Sequence, residues 1–443
     1  MSLNCSRKLW IRSVTAVLLA CSLSGCSLNG SGSSGSHAAD SPAPEQTGAQ
    51  SAGSAEAAEL MPEAGAALTI WEEKSESAFL LPALKAFEAK FGVPVTMEEV
   101  PSPDQPGKLA NDGPANLAAD VVLLPHDRLG DVASANLVLP NDVLAQSIRQ
   151  TKLETAVQAV TFGGILYGYP KSIETYALYY NKDLVKQAPR TWEEIAEFAR
   201  TFNDPSTNRY AVMWENKSLY YNYSFISALG GYVYGKNGTD PSDIGLNLPE
   251  AVEGMTYFQS LKSILPVQTA DVTYDVKTQL FQQGKLAFNI DGPWSVGSFR
   301  NQVNFGVAPL PQLPGGRNSI SLSGIRAYYV NSYTKYPNAS KLLADFLTNK
   351  ENALANFKAT GSITADKEAA EDPLLKKDPV VSGFLEQFGH SHPMPSLPEM
   401  ANVWAPVEAA ISAIWNDKAD VRTSLDKAVQ TIRDQNQKQS PHK

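Results

Sequence analysis

The sequence predicts an α/β protein with two lobes that are joined by strands crossing from one lobe to the other. The chain has 443 residues, of which 43% are hydrophobic and 19% charged, a composition typical of a folded protein too long for one hydrophobic core. From residue 68 onward, apolar strands alternate with amphipathic helices, which favours parallel sheets. Residues 163–184 combine a Gly-Gly turn, a proline and two apolar strands, which are the features of a segment crossing between two sheets.

The first residues have the pattern of a bacterial export signal. A basic start precedes an apolar run at residues 13–23, which is too short to span a bilayer. The run ends in Leu-Ser-Gly-Cys, a tetrapeptide that resembles the lipobox of bacterial lipoproteins. Residues 1–25 would then be a signal peptide that is removed, and Cys26 would be the lipid-modified first residue. A generic signal with a chance cysteine is the alternative.

Residues 26–66 are expected to be a flexible tether, because Ser, Gly, Ala and Pro dominate and bulky apolar side chains are rare. With two acyl chains on Cys26, the tether would hold the protein on the extracytoplasmic face of the cell membrane. All three cysteines, Cys5, Cys21 and Cys26, precede residue 67. The folded part therefore has no disulfide, thiol nucleophile or thiolate metal site.

Net charge and motifs disfavour several function classes. The formal net charge is -9, which disfavours nucleic acid as a partner because phosphate contacts need a basic surface. The sequence contains no phosphate-binding glycine loop and no Gly-x-Ser-x-Gly motif, and no cofactor is expected. His390 and His392 form a His-x-His pattern, but two ligands in a proline-flanked segment indicate a surface loop rather than a metal site. We expect a monomer.

The first lobe begins with elements in the order strand, helix, strand. Residues 68–71 are a short apolar strand, and the apolar positions that follow recur at helical spacing until Gly92. Residues 93–97 and 121–124 are the next strands, and the second is apolar throughout, as expected for a strand buried on both faces. This order implies a parallel sheet with right-handed crossovers, whose ligands should bind in the loops after the strands.

The loops after residues 71 and 124 carry charged side chains. Glu73 and Lys74 follow the first strand, and Asp127 and Arg128 follow the third. Their position at the carboxyl ends of parallel strands makes them candidate ligand contacts. A surface salt bridge, or capping of a helix by Asp127, is the alternative.

The crossing segment carries one acid, Glu174. Because Pro170 cannot donate a backbone hydrogen bond and holds its predecessor extended, residues 169–175 are expected to be an exposed connector. Residues 176–180 form the next strand, which Asn-Lys-Asp closes with turn residues. A lone carboxylate between two strands of a crossing lies beside the predicted cleft. A second crossing is expected at residues 322–327.

Aromatic residues are concentrated in the second lobe. Residues 214–231 include Tyr220 and Tyr221, and an aromatic run beside a cleft suits the apolar face of a pyranose, whose hydroxyls seek polar groups. Trp294 directly follows a Gly-Pro turn, which can hold it at the mouth of a cleft, so it is a candidate for stacking on a sugar. A tryptophan of the hydrophobic core is the alternative.

Five blocks of the sequence resemble the extracellular solute-binding proteins of ABC importers, in particular the maltose/maltodextrin-binding proteins. In order, the blocks are residues 126–130 (HDRLG), 169–184 (with Tyr-Pro and Tyr-Asn-Lys-Asp-Leu), 220–231 (ending in Gly-Gly), 291–294 (DGPW) and 394–404 (MPSLPEM, then Trp). The resemblance covers residues 68–434 and implies the periplasmic-binding-protein type II fold, in which two α/β lobes, joined by a multi-crossing hinge, close on a ligand. It divides the chain into lobe 1 (67–172 and 325–375), lobe 2 (173–324 and 376–436) and a tail (437–443).

The resemblance implies a lipid-anchored carrier that binds a maltodextrin-type oligosaccharide and presents it to the permease subunits of an ABC transporter. The family's sugar contacts fall on Asp127, Arg128, Glu174, Tyr220, Tyr221, Trp294, Trp404 and, across a gap, Glu73 and Lys74. Carboxylates accept hydrogen bonds from sugar hydroxyls and a guanidinium donates to them, so these residue types fit that role.

Three positions depart from the family pattern: Leu124 replaces an aromatic residue, Ser218 a glutamate and Glu408 an arginine. These departures leave another oligosaccharide open as the ligand. A secreted glycoside hydrolase that uses Asp127 and Glu174 as its two carboxylates is a further alternative. We expect no enzyme, because the family binds its sugar without changing it.

Overall fold

The computed structural model describes residues 60–439. The predicted signal peptide, Cys26, the tether up to residue 59 and residues 440–443 lie outside this range. The last tether residues contact the fold: the Glu63 carboxylate accepts hydrogen bonds from the backbone N–H groups of Asn338 and Ala339 at 2.8 and 3.0 Å. These N–H groups open a helix and have no partner inside it, so an acid is favourable there. Ordered structure thus begins before residue 67.

Residues 60–439 contain thirteen strands. They are β1 (Leu68–Glu72), β2 (Val95–Glu99), β3 (Val121–Pro125), β4 (Thr161–Phe162), β5 (Ile165–Leu166), β6 (Tyr169–Glu174), β7 (Ala177–Asn181), β8 (Tyr210–Met213), β9 (Asp240–Ile244), β10 (Leu286–Asp291), β11 (Phe305–Ala308), β12 (Ser321–Val330) and β13 (Ser391–Pro393).

The same range contains eighteen α-helical segments and seven 3₁₀ helices. The α-helices are α1 (Ser77–Phe91), α2 (Gln105–Asp112), α3 (Leu129–Ser134), α4 (Ala145–Thr151), α5 (Glu154–Ala159), α6 (Trp192–Phe202), α7 (Leu219–Ser227), α8 (Gly235–Gly238), α9 (Pro249–Ser260), α10 (Tyr274–Gln282), α11 (Val296–Phe299), α12 (Pro337–Thr348), α13 (Lys350–Thr360), α14 (Lys367–Ala370), α15 (Pro373–Lys376), α16 (Pro379–Phe388), α17 (Trp404–Asp417) and α18 (Val421–Gln439). The 3₁₀ helices are Lys74–Glu76, His126–Arg128, Pro205–Thr207, Leu261–Ser263, Thr269–Asp271, Pro293–Ser295 and Pro398–Asn402. None of the helices in this range is both long and apolar enough to cross a membrane.

Six strands form the first sheet, in the order β13-β12-β3-β1-β2, with β6 also paired to β12. As the strand-helix-strand order predicts, β1 pairs in parallel with both β2 and β3. The central strand β3 is fully buried from Val121 to Leu124, which agrees with its uninterrupted apolar sequence. The loops after β1 and β3 therefore open at the same edge of the sheet.

Four strands form the second sheet, in the order β11-β7-β10-β8. Strand β10 runs parallel to β8, whereas β7 is antiparallel to both of its neighbours. The end of β10 therefore lies beside the start of β7, where Asp291 is opposite Ala177. This pairing brings the Gly-Pro-Trp segment that follows β10 next to the first crossing.

Two helix boundaries are explained by their caps, and the first of them was predicted from the sequence. Helix α1 ends at Gly92, whose φ of 68° lies in the left-handed region that glycine adopts without strain. Helix α6 begins after Thr191, whose side chain accepts a hydrogen bond from the backbone N–H of Glu194. In both cases a local signal fixes the boundary without help from the rest of the fold.

The first crossing differs from the sequence prediction. Residues 169–174 are not an exposed connector but strand β6, mostly buried and paired antiparallel with β12. Pro170 is accommodated because the pairing register shifts between Arg326 and Ala327, and sheets accept proline at such irregularities. Glu174 is the last residue of β6, and β7 of the second sheet follows almost at once.

Each sheet has its own hydrophobic core, which gives the two α/β lobes. The core of lobe 1 surrounds β3, and that of lobe 2 contains Trp192, Trp214 and Trp415. Phe357 and Ile363, in the segment 325–375 predicted for lobe 1, pack into the core of lobe 2. The residues at which one lobe ends and the other begins stay a prediction.

Candidate functional site

The candidate site lies where the crossing strands meet the loops of both lobes. The 3₁₀ helix Lys74–Glu76 contacts Pro293–Ser295, and helix α3 contacts Pro398–Asn402. Gly130 in α3 comes so close to the latter segment that a Cβ atom there would lie 2.5 Å from the Ser396 carbonyl oxygen. The glycine of the HDRLG block is therefore required for this approach of the two lobes.

Two predicted acids, Glu73 and Glu174, share one buried arginine. The Arg326 side chain on β12 is 4% exposed; its Nη2 lies 2.8 Å from Glu73 Oε2 and its Nε lies 3.2 Å from Glu174 Oε1. Burial raises the pKa of Glu174 to about 7, against the opposing charge of Arg326. Burial also acts on Glu73, but Arg326 and hydrogen bonds from Ser102 outweigh it and lower the pKa of Glu73. The two acids thus differ in protonation near neutral pH.

A second layer of charges lies beneath this pair. Lys171 on β6 donates to Glu72 at 2.8 Å and lies 3.0 Å from Glu76. The Tyr328 hydroxyl also donates to Glu72, at 2.6 Å. Burial raises the pKa of Glu72, and the attraction of Lys171 opposes that rise. These paired charges tie β1, β6 and β12 together at the crossing.

Asp127 lies in the 3₁₀ helix after β3 and is 3% exposed. Burial raises its pKa to about 6, while the charge of Arg128 and a hydrogen bond from the Trp404 side chain lower it. The indole N–H is the only polar donor of a tryptophan, so it is the group of Trp404 that points toward the Asp127 carboxylate. The predicted candidates Asp127 and Trp404 therefore face each other across the two lobes. Arg128 forms a salt bridge to Asp131 at 3.1 Å, while its buried Nε finds no hydrogen-bond partner within residues 60–439.

The histidine next to Asp127 has a structural role that the sequence prediction missed. His126 Nδ1 accepts a hydrogen bond from the Ile325 N–H at 3.2 Å, and Nε2 lies 3.0 Å from the Met394 carbonyl oxygen. The first contact requires an unprotonated Nδ1, so Nε2 carries the proton and donates it to Met394. Burial lowers the pKa of His126 to about 4, which keeps this neutral form. His126 thus links the loop after β3 to β12 and to the segment before Trp404.

The predicted aromatic residues form a cluster beside these acids. The Tyr220 ring lies 4.9 Å from that of Tyr176, 5.4 Å from that of Tyr221 and 6.4 Å from that of Trp294, between ring centres. Trp294 lies over Gly292, where a Cβ atom would be 2.1 Å from the indole. Tyr220, Trp294 and Trp404 are partly buried, unlike the fully buried core tryptophans.

The Tyr220 hydroxyl is buried and has no hydrogen-bond partner within residues 60–439. Burial raises its pKa well above the ordinary value, and the nearby charges of Glu174 and Asp127 raise it further. A single phenol is thus within electrostatic range of both acids. Tyr221 differs, because it is 7% exposed and its hydroxyl donates to Asp291 at 3.1 Å.

A buried ion pair supports the aromatic cluster from below. Lys277 on α10 is fully buried, forms a hydrogen-bonded ion pair with Asp291, and has Glu215 at 3.7 Å. Its ammonium group also lies 5.4 Å from the centre of the Tyr221 ring. The lysine compensates the charge of Asp291, which stands first in the DGPW block.

The remaining predicted positions lie apart from this cluster or are committed elsewhere. Lys74 is exposed and forms no salt bridge within residues 60–439. Leu124 is fully buried in the first sheet, so it presents no surface for stacking. Burial raises the pKa of Glu408, and a hydrogen bond from the backbone N–H of Leu219 opposes that rise. Glu408 therefore lies near the start of α7, which follows Ser218.

His390 and His392 were expected in a surface loop, but His392 lies in the short strand β13, which pairs with β12. Its Nδ1 is 2.9 Å from the Tyr223 hydroxyl. In the part of the chain that the structure describes, no three His, Cys, Asp or Glu side chains are arranged to hold a metal ion.

Sequence reasoning missed Arg326, Lys171 and Lys277, which hold the acids in place. The sequence did contain a signal for Arg326. Arg326 interrupts the otherwise uncharged run SLSGIRAYYV, and a charge in a buried strand requires a partner of opposite sign. Which acid would supply that partner depends on the crossing of β6 and β12, which the sequence placed only approximately.

Comparison with known proteins is consistent with this architecture. The family model of bacterial extracellular solute-binding proteins matches residues 83–382. A galactooligosaccharide-binding protein of Bacillus subtilis is 33% identical over 84% of this chain and 90% of its own. A maltooligosaccharide ABC transporter solute-binding lipoprotein of Streptococcus pneumoniae is 30% identical over 83% of this chain and 88% of its own.

Among solved structures, a cyclo/maltodextrin-binding protein in complex with maltotetraose is 37% identical, with a TM-score of 0.68. The match covers 84% of this chain and 97% of that one. The predicted periplasmic-binding-protein type II fold is thereby confirmed.

Proposed function

The chain belongs to the bacterial extracellular solute-binding proteins, and we propose that it carries a maltodextrin-type oligosaccharide to the permease subunits of an ABC importer. The observation that carries this proposal is the joining of partly exposed rings to buried acids in one place. Tyr220 is its centre, since its ring lies beside Trp294 and its unpaired hydroxyl is close to both Asp127 and Glu174.

This combination of groups suits a sugar. The apolar face of a pyranose stacks on Trp294 and Trp404, and its hydroxyls donate to the carboxylates of Asp127 and Glu174. The Tyr220 hydroxyl can both donate and accept, so a ligand hydroxyl would satisfy a group that now lacks a partner. Glu73, Arg128, Tyr221 and Lys74 form the periphery of the proposed site.

Maltodextrin is favoured over other oligosaccharides by the solved relative with maltotetraose, which is 37% identical to this chain. A galacto-oligosaccharide is the second candidate, because a relative with that name is 33% identical. Leu124 also supports this second candidate, because it is fully buried and leaves a position of the maltodextrin pattern without a sugar contact.

Binding without hydrolysis is part of the proposal. Glycosidases need a carboxylate free to act as acid, base or nucleophile. One oxygen of Glu174 faces the Arg326 guanidinium, and Asp127 accepts from Trp404. Each acid therefore has one contact within the protein that suits a hydrogen-bond acceptor, and the remaining oxygen of Glu174 accepts from the sugar in this proposal.

Calorimetric titration with maltotriose, maltotetraose and a β-linked galactotriose tests the ligand, with chromatography of each mixture to detect cleavage. We expect heat of binding with the maltodextrins and unchanged sugar afterwards. Tighter binding of galactotriose would replace maltodextrin by the second candidate, and released monosaccharide would favour a hydrolase. Asp127→Asn provides the matched control, because it retains the size of the side chain but loses the charge.

We also propose that the protein is anchored in the cell membrane through Cys26 and acts there as a monomer. The lipobox-like sequence and the lipoprotein relative of Streptococcus pneumoniae support the anchor. Cys26→Ala should leave sugar affinity unchanged and move the protein from the membrane fraction to the soluble fraction. Sedimentation of the variant with membranes would remove the support for lipidation.

A further inference from the structure

Within residues 60–439, Arg326 is the cation that forms ion pairs with both Glu73 and Glu174. The inner cation Lys171 serves Glu72 and Glu76, and Arg326 lies between Glu73 and Glu174. The Arg326 Nη2 atom is also 4.0 Å from Glu72, so Arg326 reaches the cluster around Lys171 as well. Without a cation here, carboxylates from separate segments of the chain would repel each other in a buried place.

We propose that Arg326 is a positioning residue of the binding site, which holds Glu73 and Glu174 as one pair and leaves Glu174 as the member that accepts a hydrogen bond from a ligand hydroxyl. The role of the ligand rests on the function proposed above. The role of Arg326 toward the two acids rests on the geometry alone.

The acceptor atoms of the two acids are used differently. Glu73 Oε1 accepts from the Ser102 N–H at 3.1 Å, and its Oε2 faces Arg326, so both oxygens are engaged. Glu174 Oε1 faces Arg326, whereas no hydrogen bond reaches its Oε2 from residues 60–439. The Glu174 side chain is 15% exposed. Its Oε2 is therefore the acceptor open to a ligand.

The arginine itself is adapted to such a role. Two of its nitrogens, Nε and Nη2, point to different carboxylates, which a lysine with a single ammonium group could not reproduce. Both nitrogens are buried and lack well-aligned hydrogen bonds within residues 60–439. The contacts are thus ion pairs whose geometry can still adjust when a hydroxyl enters beside Glu174.

The charges around Glu174 determine the pH at which it can act as an ionised acceptor. The charges that act most strongly on it are Arg326 on β12, Glu73 and Glu76 after β1, and Lys171 on β6, and the titratable Tyr220 on α7 also lies within electrostatic range. Burial raises the pKa of Glu174 to about 7, and Arg326 is the strongest group that opposes the rise. Removing the guanidinium should therefore move the titration of Glu174 to higher pH.

The first experiment needs no ligand. The full-length chain, with glutamate labelled by ¹³C at the carboxyl carbon, is titrated by NMR, and the Glu174 signal is assigned with Glu174→Gln. We expect a midpoint near pH 7 in the wild type, a higher midpoint in Arg326→Gln and a smaller rise in Arg326→Lys. Arg200→Gln is the matched control, since this arginine is 75% exposed and pairs with Glu197; it should change nothing.

The second experiment measures sugar affinity against pH for the same variants, using maltotetraose as the probe. At pH 7, Arg326→Gln should weaken binding by about tenfold, the factor that corresponds to one charge-assisted hydrogen bond of about 1.4 kcal/mol. Part of this loss should be recovered at higher pH, where Glu174 ionises. Glu174→Gln should weaken binding and remove the part of the pH dependence centred near pH 7, leaving the part near pH 6 that comes from Asp127.

The two experiments separate the inference from the proposed function. If the wild type binds no sugar but Arg326→Gln still raises the Glu174 midpoint, the positioning role stands and the sugar assignment fails. If sugar binds and neither Arg326 variant moves the midpoint or the affinity profile, Arg326 has a structural role only and the inference is overturned. If Arg326→Gln does not fold, the same measurements on Arg326→Lys decide whether Arg326 positions Glu174.

Discussion

Two substitutions of Trp404 can separate its two proposed roles, stacking on the sugar and donating a hydrogen bond to Asp127. Trp404→Ala removes both the ring and the N–H group, whereas Trp404→Phe keeps a ring and removes only the hydrogen bond to Asp127. Burial of a large apolar side chain contributes about 1.5 to 3 kcal/mol. Because Trp404 is already partly buried without ligand, the lower figure applies. Trp404→Ala should then weaken sugar binding by about tenfold, since about 1.4 kcal/mol corresponds to that factor.

Trp404→Phe should act mainly through the pKa of Asp127. The hydrogen bond from Trp404 favours the ionised carboxylate, so its loss raises a pKa that burial has already brought to about 6. An ionised Asp127 is the better acceptor for a sugar hydroxyl. In the wild type, the part of the affinity that depends on Asp127 should fall as the pH drops through about 6, below the fall near pH 7 that comes from Glu174; in Trp404→Phe the Asp127 part should move to higher pH.

The assay is calorimetric titration between pH 5 and 8, combined with chemical unfolding of each variant. Trp415→Ala is the control for a core tryptophan, because Trp415 is fully buried and such a truncation typically costs about 3 to 5 kcal/mol. Trp404→Ala should cost less. The reasoning fails if Trp404→Ala binds normally but unfolds as easily as Trp415→Ala, and if Trp404→Phe has the wild-type pH profile.

Three further predictions concern the surroundings of the site. Gly130→Ala should weaken sugar binding with little change in secondary structure by circular dichroism, because its Cβ would meet the Ser396 carbonyl at 2.5 Å and hold the lobes apart. Tyr220→Phe should raise the free energy of unfolding by about 1 kcal/mol, since it removes a buried hydroxyl without a partner, and should lower affinity. Lys277→Met should lower that free energy by about 3 to 5 kcal/mol, because Asp291 would be left buried and unpaired; Lys277→Met combined with Asp291→Asn should recover part of it.

The sequence predicted those parts of the fold that local signals determine. The glycine cap of α1 follows from residues within that segment, and the parallel pairing of β1 with β3 follows from the order of strands and helices. The prediction of an exposed connector at residues 169–175 was wrong. Pro170 argues against a strand unless the register shift in β12 is known. Such a shift depends on the partner strand, which lies more than 150 residues away in the sequence.

At the candidate site, the residues proposed to contact a sugar were easier to predict than the buried cations that hold them in place. Glu174 and Asp127 both lie within electrostatic range of Tyr220, and their role toward a sugar stays a prediction. The cations beneath them could not be assigned, because pairing of Lys277 with Asp291 depends on how α10 packs on β10. A sequence shows that a buried charge needs a partner, but the partner is fixed only by tertiary structure.

The division of groups between the lobes has a consequence for how a sugar would be held. The partly exposed rings of Tyr220, Trp294 and Trp404 all belong to lobe 2, whereas Asp127 follows a strand of lobe 1. Leu124, which stands where the family has an aromatic residue, removes a ring from lobe 1. A sugar on lobe 2 alone would therefore be stacked but would lack its acceptor at Asp127. At the proposed site, the acceptors of lobe 1 would add hydrogen bonds to a sugar that is stacked on lobe 2, and the energy of those bonds would favour the closed form.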